Sequence, residues 1–128
     1  LSSPTQRSLE FLRKAGYVAA VVERRNAYAG PPEAKCPECG KNKIGISQDL
    51  FGFCDIIAIH PETRTTLAVQ TTSGSNLSAR RHKLMACGEV ILCMAAGWKI
   101  ELHAWAKHKI VRGGKAFRYE LIRESLNG

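Results

Sequence analysis

The stretch that most constrains the fold is 53–72, where FCDIIAIH and TTLAVQTT flank Pro61, Glu62 and Thr63. Both runs are short and rich in β-branched residues, so they read as strands, from Phe53 to His60 and from Thr65 to Thr72. A connection this short makes them neighbours in an antiparallel hairpin. Alternation along the first run puts Asp55, Ile57 and Ile59 on one face and Cys54, Ile56 and Ala58 on the other. In the second run Gln70 and Thr72 share a face, so hairpin pairing brings Asp55 and Gln70 to the same end of a sheet.

The other elements arrange themselves around that hairpin. Ser3, Pro4 and Gln6 form a helix start of the Ser-x-x-Gln type, Leu9 and Leu12 fall on one face, and Gly16 is the stop. Tyr17 to Arg24 (YVAAVVER) reads as a strand. Residues 26–44, with AGPPEAKCPECGKNK, read as an irregular loop whose length points to function or mobility. A helix is expected from about Ser78 to Cys87, and a second apolar one from Gly88 to Ala96. Ile100 to Ala106 and Phe117 to Arg123 alternate and make a second hairpin around Gly113-Gly114. The expected fold class is α/β: a single domain over 1–128, αβββαβ plus a final strand, with a mixed central sheet flanked by helices.

Composition narrows the function. Of 128 residues, 45% are hydrophobic, enough to bury a core. The 19 Lys and Arg against 11 Asp and Glu leave a net charge of +8, which favours a polyanionic partner, most simply nucleic acid. No apolar run approaches the ~20 residues of a membrane-spanning helix, so no membrane partner is expected. Five cysteines, without a secretory segment among the opening residues, argue against a disulfide framework and for a reducing cytoplasm.

The chemistry centres on Asp55. A carboxylate entering an apolar strand is costly unless it is paired or bound to metal. Asp55, the amide oxygen of Gln70 and an intervening carbonyl can hold a hard cation such as Mg²⁺, which activates water and stabilises charge on a phosphate. Asp49, within QDLFGFCDIIA, is either a further ligand or a turn former. Without a metal, Asp55 is a strand-end residue satisfied by backbone donors or an Arg, Gln70 faces solvent, and Glu23 pairs with Arg24 or Arg25. The run Arg80-Arg81-His82-Lys83 is either a solvated helix face or a set of phosphate contacts.

DLFGFCDIIAIH followed by VQTT resembles the PD-(D/E)xK nuclease superfamily, whose restriction-endonuclease-like fold includes Holliday junction resolvases and VRR-NUC domains. The resemblance covers roughly Pro4 to Lys107. It implies that Asp55 is the metal-binding Asp and that Gln70 occupies the place of the second acid, as in Mrr-like members. Thr72 stands where the catalytic Lys is usual, a departure for which Lys83, then Arg80, are substitutes. The superfamily often has a Glu in its first helix; Gln6 and Glu10 match that position imperfectly, and Glu23 can reach the site from the sheet.

The resemblance implies a metal-dependent DNA endonuclease that acts as a homodimer, with branched, junction DNA as the first substrate to test, in a bacterial or phage-infected cell. Catalytic candidates are Asp55, Gln70, Lys83 and Glu23. Metal candidates are Asp49, Asp55 and Gln70, for Mg²⁺ or Mn²⁺. Nucleic-acid contacts fall to Asn76, Arg80, Arg81 and Lys83. The alternative is a DNA-binding module of the same fold that has lost catalysis, which is how Thr72 and Gln70 would also look.

A third reading rests on Cys36-Pro-Glu-Cys39-Gly, a knuckle of the kind that opens a zinc ribbon. Two thiolates are half a Zn²⁺ site, completed by a distant His or a second chain, or else the knuckle is a tight turn. His103, Trp105 and Trp98 are core groups by default, with stacking on a base as the sharper alternative.

Overall fold

The computed structural model describes residues 3–26, 36–39 and 46–127. Apart from 26 and 36–39, the irregular loop expected at 26–44 lies outside the described residues.

Helix α1 (Pro4–Lys14) begins as its sequence demands: Ser3 Oγ accepts the Gln6 N–H at 3.2 Å, with Pro4 in the first turn. It ends before Gly16, whose φ of +95° is open to glycine at little cost. Strands β1 (Val18–Val21), β4 (Ile56–His60) and β5 (Thr65–Ser73) form an antiparallel meander. Helices α2 (Leu77–Met85) and α3 (Gly88–Ala95) then carry the chain across to β6 (Lys99–Lys109), parallel to β5. Strand β7 (Phe117–Ser125) returns antiparallel to β6. The fold is thus α/β, with a five-stranded mixed sheet in the order β1-β4-β5-β6-β7 and helices flanking it. No described helix is long and apolar enough to cross a membrane.

Both hairpins form where expected, but the strand expected from Tyr17 to Arg24 does not run through. It breaks at Val22 and Glu23, and the next residues form β2 (Arg24–Asn26), which pairs with β3 (Ile46–Gln48) in a separate two-stranded sheet. The cause lies in the neighbouring strand. Val22 makes the last ladder bond, to the Asp55 carbonyl at 2.9 Å. Before Asp55 that neighbour coils into a turn, with Phe51 and Gly52 at φ of +55° and +78° and Leu50 bridged to Cys54. Strand β4 therefore starts at Ile56 rather than Phe53, and β1 has nothing to pair with past Val22.

Alternation divides the core between the two faces. Leu9, Leu12, Ile56, Ala58, Leu67 and Val69 pack on the α1 side, and Phe53, Ala68, Leu84, Val90, Ile100 and Leu102 on the α2–α3 side. The α1 side also buries a polar chain. Ser8 Oγ accepts from Trp105 Nε1 at 2.8 Å and shares a hydrogen bond with His103 Nδ1 at 2.9 Å. His103 Nε2 meets Glu101 at 2.9 Å, and Arg123 closes the chain on Glu101 at 3.0 Å. Burial works against ionisation of Glu101, but His103 and Arg123 outweigh it and hold its carboxyl below the ordinary value. His103 and Ser8 are fully buried, so this is a structural fastening of α1 to β6.

Ser8→Ala is expected to leave the ring nitrogens of buried His103 and half-buried Trp105 without this partner and to cost about 1–3 kcal/mol. Urea denaturation followed by circular dichroism measures it; a loss below ~0.5 kcal/mol would contradict the role given to this chain.

Candidate metal centre

The break after β1 and the turn at 50–54 leave three carboxylates facing one another. The β4–β5 register pairs Ile56 with Val69, so Asp55 lies across from Gln70 as the hairpin spacing requires. Asp55 Oδ2 accepts three hydrogen bonds: from Gln70 Nε2 at 2.8 Å, from the Thr71 N–H at 2.8 Å and from Thr71 Oγ1 at 3.2 Å. Thr71 Oγ1 also shares a hydrogen bond with Thr5 Oγ1 at 2.8 Å, which fastens the first turn of α1 to the site. With Oδ2 saturated, Oδ1 is the oxygen left for a ligand.

Glu23 comes from the break between β1 and β2, and Asp49 from the residue after β3, where its carbonyl also accepts the Gly52 N–H at 3.1 Å. One oxygen from each of Glu23, Asp49 and Asp55 lies within 4.8 Å of the others, so the three could hold a metal ion. Asp49 therefore closes the turn through its carbonyl and joins the acidic cluster through its carboxylate. These groups line a cleft of about 240 Å³ together with Pro4, Thr5, Gln70, Thr71 and Arg80.

Such crowding has an electrostatic cost. Burial pushes the Asp55 carboxyl up to about 7; its hydrogen bond with Asp49 and the charges of Asp49 and Glu23 push the same way, against the Thr71 N–H. Burial likewise pushes the Cys54 thiol up to about 12, so it stays protonated. Gln70 adds an independent sign of a ligand. Its NH₂ must face the carboxylate of Asp55, which leaves Oε1 buried with no hydrogen-bond partner, on a side chain only 2% exposed. A buried polar atom without a partner costs about 1–3 kcal/mol, and a cation in the cleft would supply one. Carboxylate and amide oxygens are hard donors, which fits a hard divalent ion.

The remaining sequence candidates divide by where α2 carries them. Lys83 Nζ reaches to 3.9 Å from Asp49 Oδ2 and lines a neighbouring cleft that shares Asp49, beside Arg24. Arg80 lines the acidic cleft itself. Arg81 turns away, its Nε donating to Glu124 at 2.7 Å at the edge of a different, largely apolar cavity. Asn76 is exposed in the 3-10 turn Gly74–Asn76 and donates to Ser73 Oγ at 3.2 Å. Thr72 is buried. Gln6 and Glu10 are exposed on α1, and it is Thr5 that lines the cleft.

Cys36 and Cys39 lie in a turn where the backbone N–H groups of Cys39 and Glu38 hold the Cys36 thiol below its ordinary value. No third metal-ligating group joins them among the described residues. Sequence reasoning missed Thr71 and Thr5. The Thr71 N–H would serve Asp55 with any side chain, so residue type carries no signal of it.

In the folded protein Asp55 keeps its proton to about pH 7, whereas its ordinary value is 3.8. The metal-free protein is therefore expected to lose stability as pH rises through this window, and metal affinity to weaken as pH falls below 7. Asp55→Asn keeps an acceptor for the three donors and removes the charge. It is expected to flatten the pH dependence, raise the denaturation midpoint at pH 8 and abolish stabilisation by Mn²⁺. Thermal melts at pH 5 and pH 8, with and without Mn²⁺, check all three. Compared with protein-family models, curated proteins and solved structures, the chain matches none.

Proposed function

We propose that the chain is a metal-dependent nuclease that hydrolyses phosphodiester bonds in DNA. The observation that carries this reading is the buried, unpartnered Oε1 of Gln70 set beside three convergent carboxylates. A restriction-endonuclease-like core belongs to the same proposal, supported by the order of helix, antiparallel meander, crossover helices and parallel strand.

Glu23, Asp49, Asp55 and Gln70 Oε1 would hold Mg²⁺ or Mn²⁺. When bound, the ion supplies Lewis-acid charge for a phosphate oxygen and lowers the pKa of a water. The protein's own groups do the rest. Gln70 Nε2 and Thr71 fix the orientation of Asp55. Lys83, 44% exposed and drawn toward the cluster by Asp49, takes the role of the lysine missing at Thr72 and meets charge developing on the phosphate. Arg80, lining the acidic cleft, binds a neighbouring phosphate. Action on branched DNA as a homodimer, inside a bacterial or phage-infected cell, extends this reading. A non-cleaving DNA-binding module of the same fold is the second reading, favoured by Thr72, only 6% exposed, at the lysine position.

Cleavage assays with Mg²⁺, Mn²⁺ or EDTA on supercoiled plasmid, linear duplex, single strand and four-way junction test both. Metal-dependent cutting is expected, with Asp55→Ala and Lys83→Ala each reducing the rate by roughly 100-fold or more. Arg81→Ala is expected to cut near the native rate. Tight DNA binding without cutting in any metal would establish the second reading.

A further inference from the structure

Strand β5 ends at Ser73, paired with Trp105, but β6 continues to Lys109 with β7 as its sole partner. Beyond the sheet the two strands form a ribbon, pairing Lys107 with Tyr119, His108 with Arg118 and Lys109 with Phe117. All six of these side chains are exposed, so both faces of the ribbon stand in solvent. Residues 107–119 hold five Lys or Arg and no Asp or Glu, the most one-sided charge in the chain outside the acidic cleft.

The ribbon has a definite chemistry and direction. Directly opposed residues share a face, so Lys107, Lys109, Phe117 and Tyr119 lie on one side and His108 and Arg118 on the other. On the first side Lys107 Nζ sits 4.1 Å from the centre of the Phe117 ring, and Arg7 of α1 lies 3.4 Å over the Tyr119 ring. The root is held firmly: a Cβ on Gly74 would come within 3.0 Å of Ala106, so the turn leading into α2 crosses directly against β6. Because β6 runs parallel to β5, with Gln70 beside Leu102 and Thr71 beside His103, the ribbon leaves the sheet at the end that carries Asp55 and Gln70. Lys109 lies six residues past His103, about 20 Å further at ~3.3 Å per residue.

We propose that the β6–β7 ribbon is a nucleic-acid-binding arm that grips duplex DNA alongside the acidic cleft. A two-stranded ribbon fits a major groove about 12 Å wide, and its cations meet phosphates spaced at one charge per ~1.7 Å of duplex. The inference deepens the nuclease reading and rests on it only for the claim that the gripped duplex is the substrate.

The test measures binding without turnover: fluorescence anisotropy of a labelled duplex of about 20 base pairs, in EDTA, across about 50–200 mM salt. The variant Lys107→Ala, Lys109→Ala, Arg118→Ala is expected to lose at least tenfold in affinity and to flatten the salt slope by about 2–3. Its thermal melt should match the native protein, since all three side chains are exposed. Lys107→Arg with Lys109→Arg should bind as the native chain does, and Asp55→Ala at least as tightly. Native affinity and slope in the triple alanine variant would overturn the proposal. So would a native protein that binds anionic phosphatidylglycerol vesicles and not duplex. If binding depends on the ribbon but no metal supports cutting, the nuclease reading fails and the arm stands.

Discussion

The rest of the structure depends on a carboxylate held at the mouth of a buried hairpin. Asp55 is 4% exposed, and its Oδ2 is tied by three donors to the far end of β5. Through Thr71 and Thr5 the same oxygen fastens the start of α1. These bonds hold the carboxyl in a place where burial and two further carboxylates oppose its charge. The hydrogen-bond network thus maintains an electrostatic conflict that a proton resolves at low pH and that a cation held by the three carboxylates would resolve at higher pH.

A second set of buried polar groups lies on the α1 side of the sheet. There, Ser8, His103, Glu101 and Arg123 are matched donor to acceptor, and Glu101 stays ionised against a partner on each side. At the acidic cleft the matching stops at Gln70, whose Oε1 has no partner. Both sets are buried polar groups; the first is closed, and the second leaves one amide oxygen over. Helix α2 repeats the division within a single turn. Arg80 and Lys83, three residues apart, line the acidic cleft and its neighbour, while Arg81, about 100° around the helix, is committed to Glu124.

How much of this was legible in sequence follows from the range of each interaction. The meeting of Asp55 and Gln70 was legible because a short, four-residue connection leaves few registers and alternation assigns the faces. The α1 start was legible because Ser3 and Gln6 cap it locally. The end of β1 was not, because Val22 and Glu23 suit a strand well enough and the break is imposed by the turn at Phe51 and Gly52 in the neighbouring segment. Glu23 was therefore readable both as an ion-pair partner of Arg24 or Arg25 and as a group reaching the site from the sheet, and the break turns it toward Asp49 and Asp55. The basic ribbon was legible as a hairpin with Gly113 at its turn. That it outruns β5, and so stands clear of the sheet, depends on where β5 stops.

By itself, then, the sequence determined the helix start, the two hairpins, the alternating faces and the opposition of Asp55 to Gln70. Each of these depends on sterics and hydrogen bonds acting over a few residues. Glu23, Asp49 and Lys83 were candidates by sequence, but the tertiary structure decided that Glu23 and Asp49 meet Asp55, that its carboxyl holds a proton to about pH 7, that Lys83 arrives beside Asp49, and that Gln70 Oε1 is left without a partner. Those properties require chain segments far apart in sequence to meet in a place that water leaves, and no local preference encodes the distance between two carboxylates or the dielectric around them.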